Sequence, residues 1–131
     1  MHENDMTGTL YLVSTPIGNL NDITIRAIDI LNSVDTILTE DTRVTHKLLK
    51  HHAVKTKSSL QSFNQINEDK KAPKIILALK EGKDIALVSD AGTPLISDPG
   101  YKFIKHAREN SIRVEPVPGC CALIAAITSS G

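Results

Sequence analysis

The sequence predicts an α/β domain, a mainly parallel sheet flanked by helices in an αβα arrangement. Three observations carry that expectation. Short apolar runs rich in β-branched residues alternate with segments of helical period along the whole chain. The alternation repeats roughly every 25 residues, the interval that a strand, a helix and two loops require. The 131 residues, 40% hydrophobic and 23% charged, suit one globular domain with a modest core and leave no room for two.

In chain order, residues 1–8 form a polar, acidic tail expected to be disordered, and the domain runs over 9–131. Residues 9–14 (TLYLVS) form a buried strand, followed by a helix over 23–31 with Ile23, Ala27, Ile30 and Leu31 inward. A second strand spans 34–38. The helix over 44–52 turns Val44, Leu48 and Leu49 to one side and its charges to the other. Residues 58–66 (SLQSFNQIN) are ambiguous, best taken as a strand and then a loop. A helix over 69–81 has Pro73 near its first turn and Gly82 past its end, the usual punctuation of a helix. Residues 85–89 are the clearest strand; a helix over 101–110, a strand over 113–117 and an apolar helix over 121–128 complete the set. Strand order cannot be read from this pattern. The final TSSG follows that last helix directly, as expected of a domain cut from a longer protein.

Composition excludes several classes. No apolar run approaches the roughly 20 residues of a membrane helix, and the polar start is no signal peptide, so the expected location is the cytoplasm. Aromatic residues are only 3%, too few for an interleaved base-stacking surface. Cys120 and Cys121 are adjacent, which suits neither a disulfide framework nor a zinc knuckle. The zero net charge hides an asymmetry. Residues 1–42 carry seven acids and one base, whereas 43–57 carry Arg43, Lys47, Lys50, Lys55 and Lys57 with no acid. His46, His51 and His52 extend that basic block. Such a stretch is either a solvated helix face or the electrostatic footprint of a polyanion such as RNA.

Four unusual segments each follow an expected strand: 15–19 (TPIGN), 40–43 (EDTR), 90–100 (DAGTPLISDPG) and 118–122 (PGCCA). In an open parallel sheet the carboxyl ends of the strands share one rim, and ligands bind there. The 90–100 loop concentrates glycine, proline and aspartate, which allow close backbone approach to a ligand and fix the loop's path. It fits neither the GxxxxGK[ST] nor the GxGxxG pattern, which disfavours ATP and NAD sites. Within 40–43, Glu40 and Asp41 suit a general base or an orienting ion pair, and Asp41 or Thr42 equally suits a helix cap. No residue spacing supports a metal site or a Ser–His–Asp triad.

Taken together, GTLYLVSTPIGNLNDIT, TEDTRVTHKLL, SFNQINE, LVSDAGTPLISDPG and VPGCCALIAAITSSG resemble the tetrapyrrole methylase family of S-adenosylmethionine-dependent methyltransferases, in its rRNA-methylating branch. The match runs from residue 8 to residue 131 in the family's order. The resemblance implies the N-terminal, cofactor-binding half of a two-domain enzyme, usually a homodimer, with the C-terminal domain absent from this chain. It implies methyl transfer to the ribose 2′-hydroxyl of a cytidine in 16S rRNA of the small ribosomal subunit. It also implies S-adenosylmethionine against Pro16, Gly18, Asp90, Gly92, Thr93, Pro94, Ile96 and Ala122. Cys120 stands where this branch usually carries proline, which loosens that turn. Methyl transfer to a hydroxyl needs a proton acceptor. Glu40, Asp41 and Arg43 are therefore the expected catalytic and orienting residues. Arg43, Lys47, Lys50, Lys55 and Lys57 are the expected RNA contacts. Two alternatives stay open, a methyltransferase acting on a tetrapyrrole or corrinoid and a non-catalytic module that dimerises or binds RNA.

Overall fold

The computed structural model describes residues 7–15, 19–54, 59–88 and 100–117. Five strands and four helices alternate: β1 (Thr9–Val13), α1 (Ile25–Ser33), β2 (Thr36–Thr39), α2 (Thr42–His51), β3 (Ser59–Ser62), α3 (Glu68–Lys80), β4 (Ile85–Val88), α4 (Tyr101–Glu109) and β5 (Arg113–Val117). The strands form one sheet in the order β3-β2-β4-β1-β5, and every neighbouring pair is parallel. The expected α/β class is observed. The helix expected over 121–128 lies outside the described residues, as do Cys120 and Cys121.

The strand order dictates where the helices lie. From β1 to β3 the chain steps toward one edge of the sheet, and from β3 to β5 it steps back toward the other. Right-handed crossovers therefore put α1 and α2 on one face and α3 and α4 on the opposite one. The core divides accordingly. Leu10, Leu12, Leu38, Ile85 and Leu87 pack with Ile75, Ile76, Leu79, Phe103, Ile104 and Ala107 of α3 and α4. Val13, Ile37, Ala86, Val88 and Val117 pack with Ala27, Ile30, Leu31 and Leu49 of α1 and α2. All four residues of β4 are buried, as a central strand requires, whereas edge strand β3 alternates exposed and half-buried positions. That weak pattern is why 58–66 reads ambiguously.

Several boundaries move, each for a local reason. Ile23 lies before α1 rather than within it, because Thr24 takes the N-cap and its Oγ1 accepts from the Ala27 amide at 3.0 Å. Val34 ends that helix as its C-cap, so β2 starts at Thr36. Val44 is 44% exposed. Thr45 takes the inward position with Leu48 and Leu49, and its hydroxyl pairs with that of Thr39 at 2.6 Å. Pro73 sits beyond the first turn, inside α3, where its missing N–H costs one helical hydrogen bond.

The amino ends of the strands are stapled together. Thr9 N–H donates to Asp84 Oδ1 at 2.8 Å, and Asp84 N–H donates to Asp35 Oδ2 at 2.9 Å. At Gly8 an added Cβ would stand 1.7 Å from the Lys83 carbonyl oxygen, so the backbones meet there too closely for any side chain. The opposite edge, where β1 to β5 end at Val13, Thr39, Ser62, Val88 and Val117, is left for a site.

Candidate functional site

Among the described strands, β1 and β4 send their connections to opposite faces of the sheet, as β2 and its two neighbours also do. β1 leads into α1 on one face, and its neighbour β4 leads into α4 on the other. In open parallel sheets such a switch point opens a crevice at the carboxyl ends of the two strands. Val13 and Val88 are register partners at the mouth of that crevice. The segments that follow them, 16–18 and 89–99, contain most of the residues expected to hold the cofactor. Pro16, Gly18, Asp90, Gly92, Thr93, Pro94, Ile96 and Ala122 themselves lie outside the described residues.

On the described part of the rim, β1 continues into Ser14 and Thr15, both 3% exposed. Ser14 N–H donates to the Val117 carbonyl at 3.4 Å, tying the exits of β1 and β5 together. The Thr15 hydroxyl is buried and has no hydrogen-bond partner among the described residues. The sequence marks the 15–19 segment as a whole; within it, Thr15 is set apart by its burial and missing partner.

The segment after β2 separates three residues that are consecutive or nearly so in sequence. Glu40 is exposed. Asp41 is the N-cap of α2: its Oδ1 accepts the Arg43 amide at 2.9 Å, and its carboxylate accepts the Arg43 Nε and guanidinium N–H at 3.3 Å each. Hydrogen bonding from Arg43 holds the Asp41 carboxyl below the usual carboxylate range and raises the guanidinium in turn. Asp41 is thereby a poorer proton acceptor than its bare sequence position suggests. Because the folded-state pKa of Asp41 is lowered, its contribution to stability is present at neutral pH and is lost as the pH falls through that pKa. Asp41→Ala should therefore melt below the wild type at pH 7. The gap should narrow as the pH drops below the ordinary aspartate value, while Asp41→Asn, which keeps a capping oxygen, should lie between them. Melting curves across that range check this; a gap independent of pH would remove the charge from the explanation.

The basic helix presents two functions on one element. Arg43, His46, Lys47 and Lys50 are exposed, while Thr45, Leu48 and Leu49 face the core. Lys55 and Lys57 lie outside the described residues. His51 and His52 are spent on the fold. Nε2 of His51 pairs with Asn21 Oδ1 at 2.9 Å, and Nε2 of His52 pairs with the Leu20 carbonyl. Their rings meet edge to face, 4.9 Å between centroids. The carboxyl end of α2 thus grips residues 20 and 21, just past the 16–18 segment. On the other face, the buried Glu68 accepts the Phe103 amide through Oε2 at 3.3 Å, and Lys102 reaches Asp69 at 3.3 Å. These contacts lock the amino ends of α3 and α4 together where the chain leaves the 89–99 segment. Sequence reasoning passed over Glu68, because a glutamate in a helix's first turn looks like an ordinary dipole complement.

Among the described residues no cluster of histidine, cysteine and carboxylate side chains is arranged to hold a metal. None of the described helices is long and apolar enough to cross a membrane.

An open parallel sheet with helices on both faces is an α/β architecture, and comparison with known proteins specifies which one. The family described as Tetrapyrrole (Corrin/Porphyrin) Methylases matches residues 9–131, and the chain belongs to that family. The chain is 50% identical over 127 residues to "Ribosomal RNA small subunit methyltransferase I" of Haemophilus influenzae, covering 97% of this chain and 44% of that protein. It is 53% identical to the protein of the same name from Vibrio cholerae, over 93% of this chain and 42% of that one. The chain therefore spans less than half the length of these curated relatives. Among solved structures, cobalt precorrin-4 methyltransferase superposes with a TM-score of 0.75 at 19% identity, covering 99% of this chain and 52% of that one. Uroporphyrin-III-C-methyltransferase from Thermus thermophilus superposes with a TM-score of 0.70 at 23% identity, over 93% of this chain and 51% of the other. The two structural likenesses establish the shared fold.

Proposed function

We propose that this chain is the cofactor-binding half of an S-adenosylmethionine-dependent methyltransferase. Its substrate is the ribose 2′-hydroxyl of a cytidine in the 16S rRNA of the small ribosomal subunit, modified in the cytoplasm by a homodimeric protein. The observation that carries this reading is the switch point between β1 and β4, flanked by the two segments most specific to the family. The buried, unpartnered Thr15 hydroxyl at that crevice suits a ligand that brings its own polar atoms. The names of the relatives that are about half identical support rRNA as the acceptor, and so does the exposed basic face of α2.

When bound, the cofactor supplies a methyl group on a sulfonium, which is activated for displacement without further chemistry. The protein's share is positioning and proton removal. Pro16, Gly18, Asp90, Gly92, Thr93, Pro94, Ile96 and Ala122 would hold the cofactor. Glu40 would accept the proton of the ribose hydroxyl on its carboxylate, and the Asp41–Arg43 pair would fix the turn that carries it. Arg43, Lys47, Lys50, Lys55 and Lys57 would neutralise RNA phosphates.

The test is transfer of labelled methyl from S-adenosylmethionine to small ribosomal subunits lacking the modification, using the protein at its full natural length. Label on a cytidine 2′-oxygen of 16S rRNA is the expected result, and Lys47→Glu/Lys50→Glu should weaken subunit binding more at low salt than at high salt. Label on a corrinoid or porphyrin, and none on rRNA, would overturn the assignment.

A further inference from the structure

The Thr15 hydroxyl is an anomaly. Among the described residues it is the one buried side-chain polar atom without a hydrogen-bond partner. A buried hydroxyl that exchanges water for nothing works against folding, and native structures rarely keep one without a use. Elsewhere the same chain shows how it treats buried threonines: Thr39 and Thr45, 0% and 2% exposed, spend their hydroxyls on each other at 2.6 Å. A purely structural position at the end of β1 would be filled at least as well by valine. Valine has the same branched shape and strand preference and carries no hydroxyl to satisfy. The location supplies the use. Thr15 lies two residues past Val13, the partner of Val88 at the switch point, and directly before the 16–18 segment.

We infer that Thr15 is a ligand-contact residue, its hydroxyl completing its hydrogen bonding with a polar atom of the small molecule held between the carboxyl ends of β1 and β4. A hydroxyl both donates and accepts, so it suits the ribose hydroxyls or the amino-acid tail of an adenosyl amino acid. It offers nothing to a purely apolar guest. The inference rests on the reading of that crevice as the S-adenosylmethionine site and adds to it a residue that pattern matching did not supply.

The two claims separate in one set of measurements on the protein at its full natural length: calorimetric titration with S-adenosylhomocysteine, paired with thermal unfolding without ligand. Wild type should bind. Thr15→Val should bind roughly tenfold more weakly, the size of one lost hydrogen bond, and yet melt at the same temperature as the wild type or higher. Thr15→Ser, which keeps the hydroxyl, should recover most of the affinity. This divergence between affinity and stability is what a structural role cannot produce. If Thr15→Val binds as tightly as wild type, the contact is refuted and the crevice reading stands. If Thr15→Val and Thr15→Ser both lose affinity and stability together, or fail to fold, Thr15 is structural and the inference is likewise overturned. If wild type itself does not bind, the crevice reading fails and takes the inference with it.

Discussion

Truncating Phe103 to alanine should lower the unfolding free energy by about 3–5 kcal/mol, the range for removing a buried phenyl ring whose surroundings cannot collapse. Phe103 is 1% exposed, and its ring meets that of Phe63 edge to face at 5.0 Å. The neighbours are fixed from several directions. The Phe63 amide donates to the Thr39 carbonyl at 2.7 Å, and the Phe103 amide is held by Glu68. The cavity would therefore persist, at the point where β3, α3 and α4 join. Domains of this size have only about 5–15 kcal/mol in total, so the variant should be marginal at 37 °C. Urea unfolding monitored by circular dichroism measures it. A loss under about 1.5 kcal/mol would mean that the aromatic pair is peripheral. Leu77→Ala, at a position 57% exposed, is the control and should change stability by no more than about 0.5 kcal/mol.

The second large effect belongs to the chemistry. Glu40→Gln should reduce methyl transfer to small ribosomal subunits by at least about 100-fold, the usual contribution of a positioned general base. Affinity for S-adenosylhomocysteine should change little. Glutamine keeps the size and hydrogen-bonding reach of the side chain and removes only its capacity to take a proton. Glu40 is exposed, so the substitution disturbs no packing. Asp41→Asn should act far more mildly, because the capping oxygen that accepts the Arg43 amide is retained. Single-turnover rates with saturating cofactor separate the cases. Turnover within about threefold of wild type would remove Glu40 from proton transfer.

The architecture was legible in the sequence because each buried strand is a continuous apolar run and each helix has an apolar stripe. Residues 85–88 and the Ala27, Ile30, Leu31 stripe are clear instances. The strand order was hidden, since a buried parallel strand looks alike wherever it sits. Helix ends were legible only where glycine marks them. Gly82 has φ 96° and ends α3, but Ala53 and Ser111, with φ 52° and 60°, end α2 and α4 in the same left-handed conformation. All three ends close with the same reversed hydrogen bond, Lys83 N–H to Ala78, Val54 N–H to Leu49 and Ile112 N–H to Ala107. At the second and third, apolar packing beyond the turn, Val54 with the α1–α2 core and Ile112 with the α3–α4 core, does the work that glycine does at the first. At the rim, Glu40 and Asp41 equally suited a general base on paper, while Asp41 and Thr42 equally suited the cap. The cap taken by Asp41 separates them, and a cap depends on where the helix begins. The missing partner of Thr15 is a fact of three dimensions with no signature in composition or spacing.

The parallel pairing of β1 has a consequence for how the chain matures. Of the five described strands β1 leaves the ribosome before the others, yet its partners are β4 and β5: Leu10 must wait for Ile85, and Thr9 for Arg113. The β5 edge joins last, and the centre of the sheet cannot close until β4 has emerged. Until it does, a bare apolar strand is available to any other nascent chain. Such long-range closure slows folding and lengthens exposure to aggregation. Synthesis order and sheet order run against each other in this protein, so its yield should depend on translation speed and chaperone supply more than its final stability would suggest.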